Sequence, residues 1–188
     1  MLRSITHAFF LLLLAGCFVP NTYYDPFDGY VRGVRFFDRG EYVVAKQIWE
    51  PLAAANDCDA QFGLGLLYFL AHGVERDVPR AIQLWRTAAD RGQPRAQIAL
   101  GDVLLRSEND TRLFCRFGCE GVVADRPAAY RWYLIAQPRA YYKNDENYLA
   151  SVIPRARGFL SPDQVRSAEA SAAAWTPQPD DCKPRRLW

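Results

Sequence analysis

Five cysteines and two histidines are the side chains here with the most reactive chemistry, and their positions limit what the chain can do. His7 lies in the leading segment. His72 stands beside Gly73 at a turn, where a capping or solvated role fits better than catalysis. No GxSxG, HExxH, P-loop or GxGxxG spacing occurs, and Gly63-Leu64-Gly65 lacks the third glycine and falls inside a helical pattern. The acid pair Asp180–Asp181 lies in a polar tail. Beyond the leader there is no CxxC and a single histidine, so zinc lacks a donor set. No catalytic residue, metal or cofactor is expected, and a hydrolase is the least favoured function. A Cys–His pair would need a reduced thiol, which an oxidising compartment disfavours.

Cys17 calls for a different chemistry. Before it, Met1 to His7 carry one strong base, Arg3, and no acid; Ala8 to Ala15 are wholly apolar and end at Gly16. Such a stretch reads as an export signal, because a bilayer core needs about 20 apolar residues. The junction Leu14-Ala15-Gly16-Cys17 resembles the lipobox of bacterial lipoproteins. That resemblance implies removal of residues 1–16, acylation of Cys17 and a linker over 17–25. Phe18 follows the cysteine where Asp would signal inner-membrane retention, so the expected location is the bacterial envelope, at the outer membrane facing the periplasm. Durable attachment requires several acyl chains, each methylene contributing about 0.8 kcal/mol.

Cys58, Cys115, Cys119 and Cys182 remain. An even number in an exported chain reads as two disulfides, with three pairings possible. The short separation in Cys115-Arg116-Phe117-Gly118-Cys119 favours Cys115–Cys119, leaving Cys58–Cys182; free buried thiols are the alternative.

Composition narrows the partner. The formal net charge is only +2 over 188 residues. Basic residues are scattered, with Lys183, Arg185 and Arg186 clustering only in the tail. Nucleic acid is therefore not an expected partner, since that binding needs a concentrated basic surface.

The elements that position these residues are read from internal repetition. Gly73, Val74, Asp77, Pro79 and Ala81 recur in register as Gly121, Val122, Asp125, Pro127 and Ala129, followed by Trp85 against Tyr133 and Ala88 against Ala136. Leu64-Gly65 matches Leu100-Gly101 at a spacing of 36. An earlier copy has Gly33, Gly40, Tyr42, Ala45 and Trp49. Asp77 and Asp125 supply N-cap carboxylates ahead of prolines suited to a first helical turn. The mid-helix Gly65 and Gly101 each cost about 1 kcal/mol relative to Ala, which makes sense where a neighbouring helix leaves no room for a side chain. Helices are predicted over 26–38, 41–54, 59–71, 78–91, 94–106, 126–138, 145–157 and 162–175. No segment alternates with period two, so no sheet is expected. A long loop spans 107–121, and the tail 176–188 is irregular unless Cys182 ties it down.

Ala60-Gln61-x-x-Leu64-Gly65-x-x-Tyr68, Gly73-Val74-x-x-Asp77 and Ala81-x-x-x-Trp85-x-x-Ala88-Ala89 together resemble the Sel-one-like repeat, a longer relative of the tetratricopeptide repeat. Ala96-Gln97-x-x-Leu100-Gly101 and Ala129-x-x-x-Tyr133-x-x-Ala136 carry it into a third unit. Leu104 replaces the usual tyrosine, and the third unit is longer. The resemblance covers residues 26–175 and implies an all-α, right-handed α-solenoid of about three helix-hairpin repeats plus C-terminal helices. No single helix pair can bury its apolar face alone, so the units must stack.

If the tetratricopeptide register transfers, the concave face presents Phe27, Tyr30, Val34 and Phe37; then Asp59, Phe62, Leu66 and Phe69; then Arg95, Ile98, Asp102 and Leu105. The strip suits an extended or helical peptide, although helically spaced aromatics also serve as core. The expected function is a membrane-tethered scaffold binding another protein or a peptide. The alternative is a structural or assembly lipoprotein within a larger envelope complex.

Overall fold

The computed structural model describes residues 26–105, 122–178 and 182. Eight α-helices follow one another: α1 (Pro26–Asp38), α2 (Tyr42–Ala54), α3 (Cys58–Leu70), α4 (Val78–Asp90), α5 (Pro94–Leu105), α6 (Arg126–Ala136), α7 (Lys143–Arg157) and α8 (Pro162–Ala173), with a 3-10 turn at Gln137–Arg139. There is no strand among the described residues. None of their helices is long and apolar enough to cross a membrane. Cys17, Cys115 and Cys119 lie outside the described residues, as do the signal over 1–16, the linker to residue 25 and the whole loop 107–121.

Helix starts follow local chemistry. Asp57, Asp77 and Asp125 each accept a hydrogen bond from the backbone N–H three residues on, at 2.9, 2.9 and 3.0 Å. Pro79 and Pro127 occupy the first turns that follow Asp77 and Asp125. Ser161 and Gln164 form a reciprocal capping box at α8.

Packing follows the repeat. The pairs α1/α2, α3/α4 and α5/α6 form antiparallel hairpins; α2 packs on α3 and α4 on α5, and both α7 and α8 pack against α6. The chain is thus an all-α solenoid of three hairpins closed by two further helices. The central α3 is apolar over most of its circumference, with Leu64 and Leu67 buried and Phe62 and Leu66 partly covered. On α5, Ala96, Ala99, Leu100 and Val103 join the core of the first two units, while Ile98 and Leu105 join a second core with α6, α7 and α8.

One contact recurs in every hairpin. A Cβ placed on Gly33 would lie 2.1 Å from Trp49 Nε1, one on Gly65 2.3 Å from Trp85 Nε1, and one on Gly101 2.4 Å from Tyr133 Cε1. The aromatic ring of the second helix lies where the first helix has no side chain. Trp49 donates its indole N–H to Tyr30 O at 3.2 Å, and Trp85 to Phe62 O at 3.1 Å. Burying each ring removes roughly 200 Å² from water, on the order of 5 kcal/mol.

Between units the buried glutamines hold the register. Gln61 Nε2 donates to Ala53 O at 3.2 Å, and Gln97 Nε2 to Ala89 O at 2.9 Å. Each adds a second donor to a carbonyl at the end of the preceding helix, which also accepts the backbone N–H of Asn56 or Gly92.

The segment after α8 turns back along the array. Gln178 N–H donates to Asp90 O at 3.0 Å and Cys182 N–H to Arg91 O at 2.7 Å, across the turn between α4 and α5. Gly92 adopts φ +97° there, and a side chain on it would meet Pro177 and Trp175. Cys182 is joined to Cys58 at the start of α3 by a disulfide, with Cα atoms 5.9 Å apart. Residues 175–178 and 182 are therefore fixed against the middle repeat.

Candidate functional site

The first helices of the hairpins, α1, α3 and α5, line one face of the array, and α7 completes it. Between α3, α5 and α7 lies an open pocket of about 330 Å³. Phe62 and Leu66 of α3 form one wall, and Ile98 and Ala99 of α5 the next. Arg95, Asp102, Asp145 and Tyr148 close the far side.

Polar side chains bridge the helices around this space. Gln93, just ahead of α5, donates from Nε2 to Asp59 Oδ1 of α3 at 3.0 Å, while its Oε1 caps α5 by accepting from Ala96 N–H at 2.6 Å. Arg95 Nε donates to Asp145 Oδ2 at 3.0 Å, and its guanidinium lies 4.1 Å from the Tyr142 ring centroid. Tyr133 donates its hydroxyl to Asp102 Oδ1 at 2.6 Å, and Tyr148 donates to the same oxygen. Charge-assisted bonds of this kind are roughly twice as strong as neutral ones.

The electrostatics follow from burial. Desolvation disfavours the charge on Arg95, but the Asp145 carboxylate bonded to it outweighs that and holds the guanidinium above its ordinary value. Tyr133 and Tyr148 are pushed well above the usual phenol range, first by burial and then by the negative charge of Asp102. Both hydroxyls therefore keep their protons and act as fixed donors to the carboxylate.

The strip expected from the repeat register divides. Phe62, Leu66, Arg95, Ile98 and Asp102 line the pocket. Asp59 stands beside it, bound to Gln93. Tyr30, Phe69 and Leu105 are only 4%, 2% and 5% exposed and belong to the core. Tyr30 stacks on Trp49 and Phe69 tilts against Trp85, each ring directed to the second helix of its own hairpin. Val34 and Phe37 are half-buried against the same core, with Phe37 packed on Tyr42 and Trp49. The side chain of Phe27 lies outside the described residues. Asp145 and Tyr148, absent from the expected strip, come from α7, whose Leu149, Val152 and Ala156 form its buried face.

His72 is half-buried at the end of α3. Its ring stacks on Tyr42 at 4.1 Å between centroids, and its backbone N–H closes the end of α3 on Leu67 O. No grouping of His, Cys, Asp and Glu that could hold a metal occurs among the described residues.

A solenoid of stacked helix hairpins, with one glycine-to-aromatic contact per unit and a pocket on the first-helix face, is the class these features define. Within it, residues 58–93 and 94–136 each match the Sel1 repeat. The first hairpin lies outside those two matches yet repeats their packing, with Gly33 against Trp49. The chain is similar to the crystal structure of a protective antigen present in uropathogenic Escherichia coli strains displaying an SLR fold. The TM-score is 0.64 at 24% identity, over 80% of this chain and 30% of that one. The chain thus spans less than a third of that protein's length, and the likeness carries the fold alone. No curated protein matches the sequence.

Proposed function

We propose that this chain is a lipid-tethered scaffold of the bacterial envelope, anchored through Cys17 and binding another protein or a peptide on the face made by α3, α5 and α7. The observation that carries the binding reading is the pocket itself. Apolar groups from two successive repeats converge on an open volume whose polar rim is held in place by side-chain bonds between helices. Repeats of this class expose extended surfaces of this kind. The Cys58–Cys182 bond is consistent with an exported, oxidising location. The outer membrane facing the periplasm is the location that the leader and Phe18 favour.

The test uses the full-length chain in a bacterium, with metabolic palmitate labelling and crosslinking in living cells. Wild type should take up label and fractionate with membranes, and Cys17→Ser should lose both. Phe62→Ala combined with Leu66→Ala should abolish one crosslinked partner while leaving the label unchanged. Unlabelled wild type would remove the anchor from the reading. Partners indifferent to the paired substitution would remove the binding face.

A further inference from the structure

Two aromatic residues at one register position are treated differently by the fold. Tyr30 of α1 and Phe62 of α3 each stand three residues before the glycine that their hairpin's tryptophan covers, Gly33 and Gly65. The backbone carbonyl of each accepts that tryptophan's indole N–H. Tyr30 also stacks on Trp49 and is buried. In the second hairpin the ring tilted against Trp85 is Phe69, from the end of α3, and Phe62 is left half-buried in the pocket wall. An aromatic ring is thus presented, with Leu66, Ile98 and Ala99, to an open volume of about 330 Å³. A ring in a concavity is the kind of seat on which interface anchors pack.

The charges around this wall are engaged with groups of the fold itself. Arg95 bonds to Asp145 at 3.0 Å and lies over the Tyr142 ring. Asp102 accepts from both Tyr133 and Tyr148. Asp59, beside the pocket, accepts from Gln93. Every charged side chain of the lining therefore already holds a partner. A charged ligand group entering here would lose its water without gaining a free counter-charge, which is the costly case. An uncharged apolar side chain meets no such penalty and covers Phe62, Leu66 and Ile98 from water. The volume is at the small end of ligand sites, about 300–1,000 Å³, and suits one large side chain.

We propose that this pocket takes one bulky uncharged side chain, aromatic or branched aliphatic, carried by a peptide segment of the partner. The side chain seats on Phe62, Leu66 and Ile98, and the internally paired rim rejects a charge of either sign. The proposal rests on the binding reading above and adds the chemistry of the partner.

The experiment selects short random peptides displayed on phage against the purified full-length chain, then resynthesises the best binder with Lys or Glu at its anchor position. All three peptides are titrated against wild type, against Leu66→Trp, which fills the pocket, against Asp145→Asn, which takes from Arg95 its carboxylate, and against the Phe62→Ala/Leu66→Ala pair. Circular dichroism verifies that each variant keeps its helix content. Selected peptides should share one Trp, Phe, Leu or Ile. Lys or Glu in its place should weaken binding about ten-fold or more, the effect of a group that loses its water unmet. Leu66→Trp should weaken the parent peptide by a similar factor, and raising the salt should not weaken it. Asp145→Asn should recover binding of the Glu form and not of the Lys form. Peptides that require a charged anchor, or an Asp145→Asn that treats Glu and Lys alike, would overturn the charge-rejecting rim while leaving the binding face intact, provided the Phe62/Leu66 pair abolishes them. No enrichment, or enrichment indifferent to that pair and to Leu66→Trp, would overturn both.

Discussion

Gly65 and Trp85 form a single contact: the indole lies so close over the glycine that an added Cβ would stand 2.3 Å from its nitrogen. Trp85 is fully buried and bonded to Phe62 O, so it has nowhere to retreat. The same arrangement in the other two hairpins makes it the element that sets how closely paired helices approach.

Gly65→Ala should therefore destabilise the fold. Overpacking costs about 1–3 kcal/mol, and the gain in helix propensity returns about 1 kcal/mol. The difference is a net loss of up to about 2 kcal/mol, centred on about 1, by urea denaturation. An unchanged or raised midpoint would mean that α3 and α4 can separate at little cost.

Cys182→Ser should lower stability more. The bond joins residues 124 positions apart, and closing a loop of that order contributes about 5 kcal/mol in the chain-entropy account, with measured values commonly about 2–4. On a Cys115→Ser/Cys119→Ser background, denaturation with and without reductant should show the same gap as the substitution, because both then remove the same link. A variant as stable as oxidised wild type would contradict this.

Gln97 is buried completely, with its amide on Ala89 O. Gln97→Met should cost about 0.5–1.5 kcal/mol by removing one hydrogen bond from that carbonyl, which keeps the N–H of Gly92. Gln97→Glu should cost about 3–5 kcal/mol at neutral pH, where it places an uncompensated charge in the core. Burial would raise the folded-state value of the new carboxyl above its unfolded one. Its neutral form is then tolerated at low pH, and stability is lost as pH rises through that folded value. Urea midpoints at acid and neutral pH should converge on and diverge from those of Gln97→Met accordingly.

Tyr30, Tyr133 and Tyr148 are all held above the ordinary phenol value, with burial the first cause in each. In the folded chain they keep their protons; in the unfolded chain they lose them near pH 10. Their contribution is fully present below about pH 10 and falls as pH rises beyond it, by up to about 1.4 kcal/mol per pH unit for each tyrosine. Tyrosinate absorbance should rise in two stages, the second coinciding with unfolding, and Tyr133→Phe should flatten the stability slope. Complete ionisation with the fold intact would refute the burial argument.

Much of this architecture was legible from spacing. The Asp-x-Pro starts of α4 and α6 and the Gly65 and Gly101 landmarks place helices and their rotation. Phe62, Leu66, Arg95, Ile98 and Asp102 follow from that rotation and face the pocket. The same rule carried to Phe69 and Leu105 ends in the core, because a position at a helix end faces the partner helix or the next unit according to local tilt, which periodicity does not encode; Tyr30 stands in the register of Phe62 but is buried by stacking on Trp49. Asp145 and Tyr148 were illegible for another reason. Their place depends on how the chain re-enters after the longer third unit, and no repeat spacing spans that segment. The stacking of His72 on Tyr42 joins two separate hairpins, again beyond the reach of local pattern.

The bond between Cys58 and Cys182 has a topological consequence. Every helix from α3 to α8 lies between its ends, so these residues form a covalent ring from which the first hairpin and the amino-terminal segment hang as a pendant. A single cleavage of the backbone anywhere within the ring would open it without releasing a fragment. Such a nicked molecule would stay in one piece and part into two only when the disulfide was reduced.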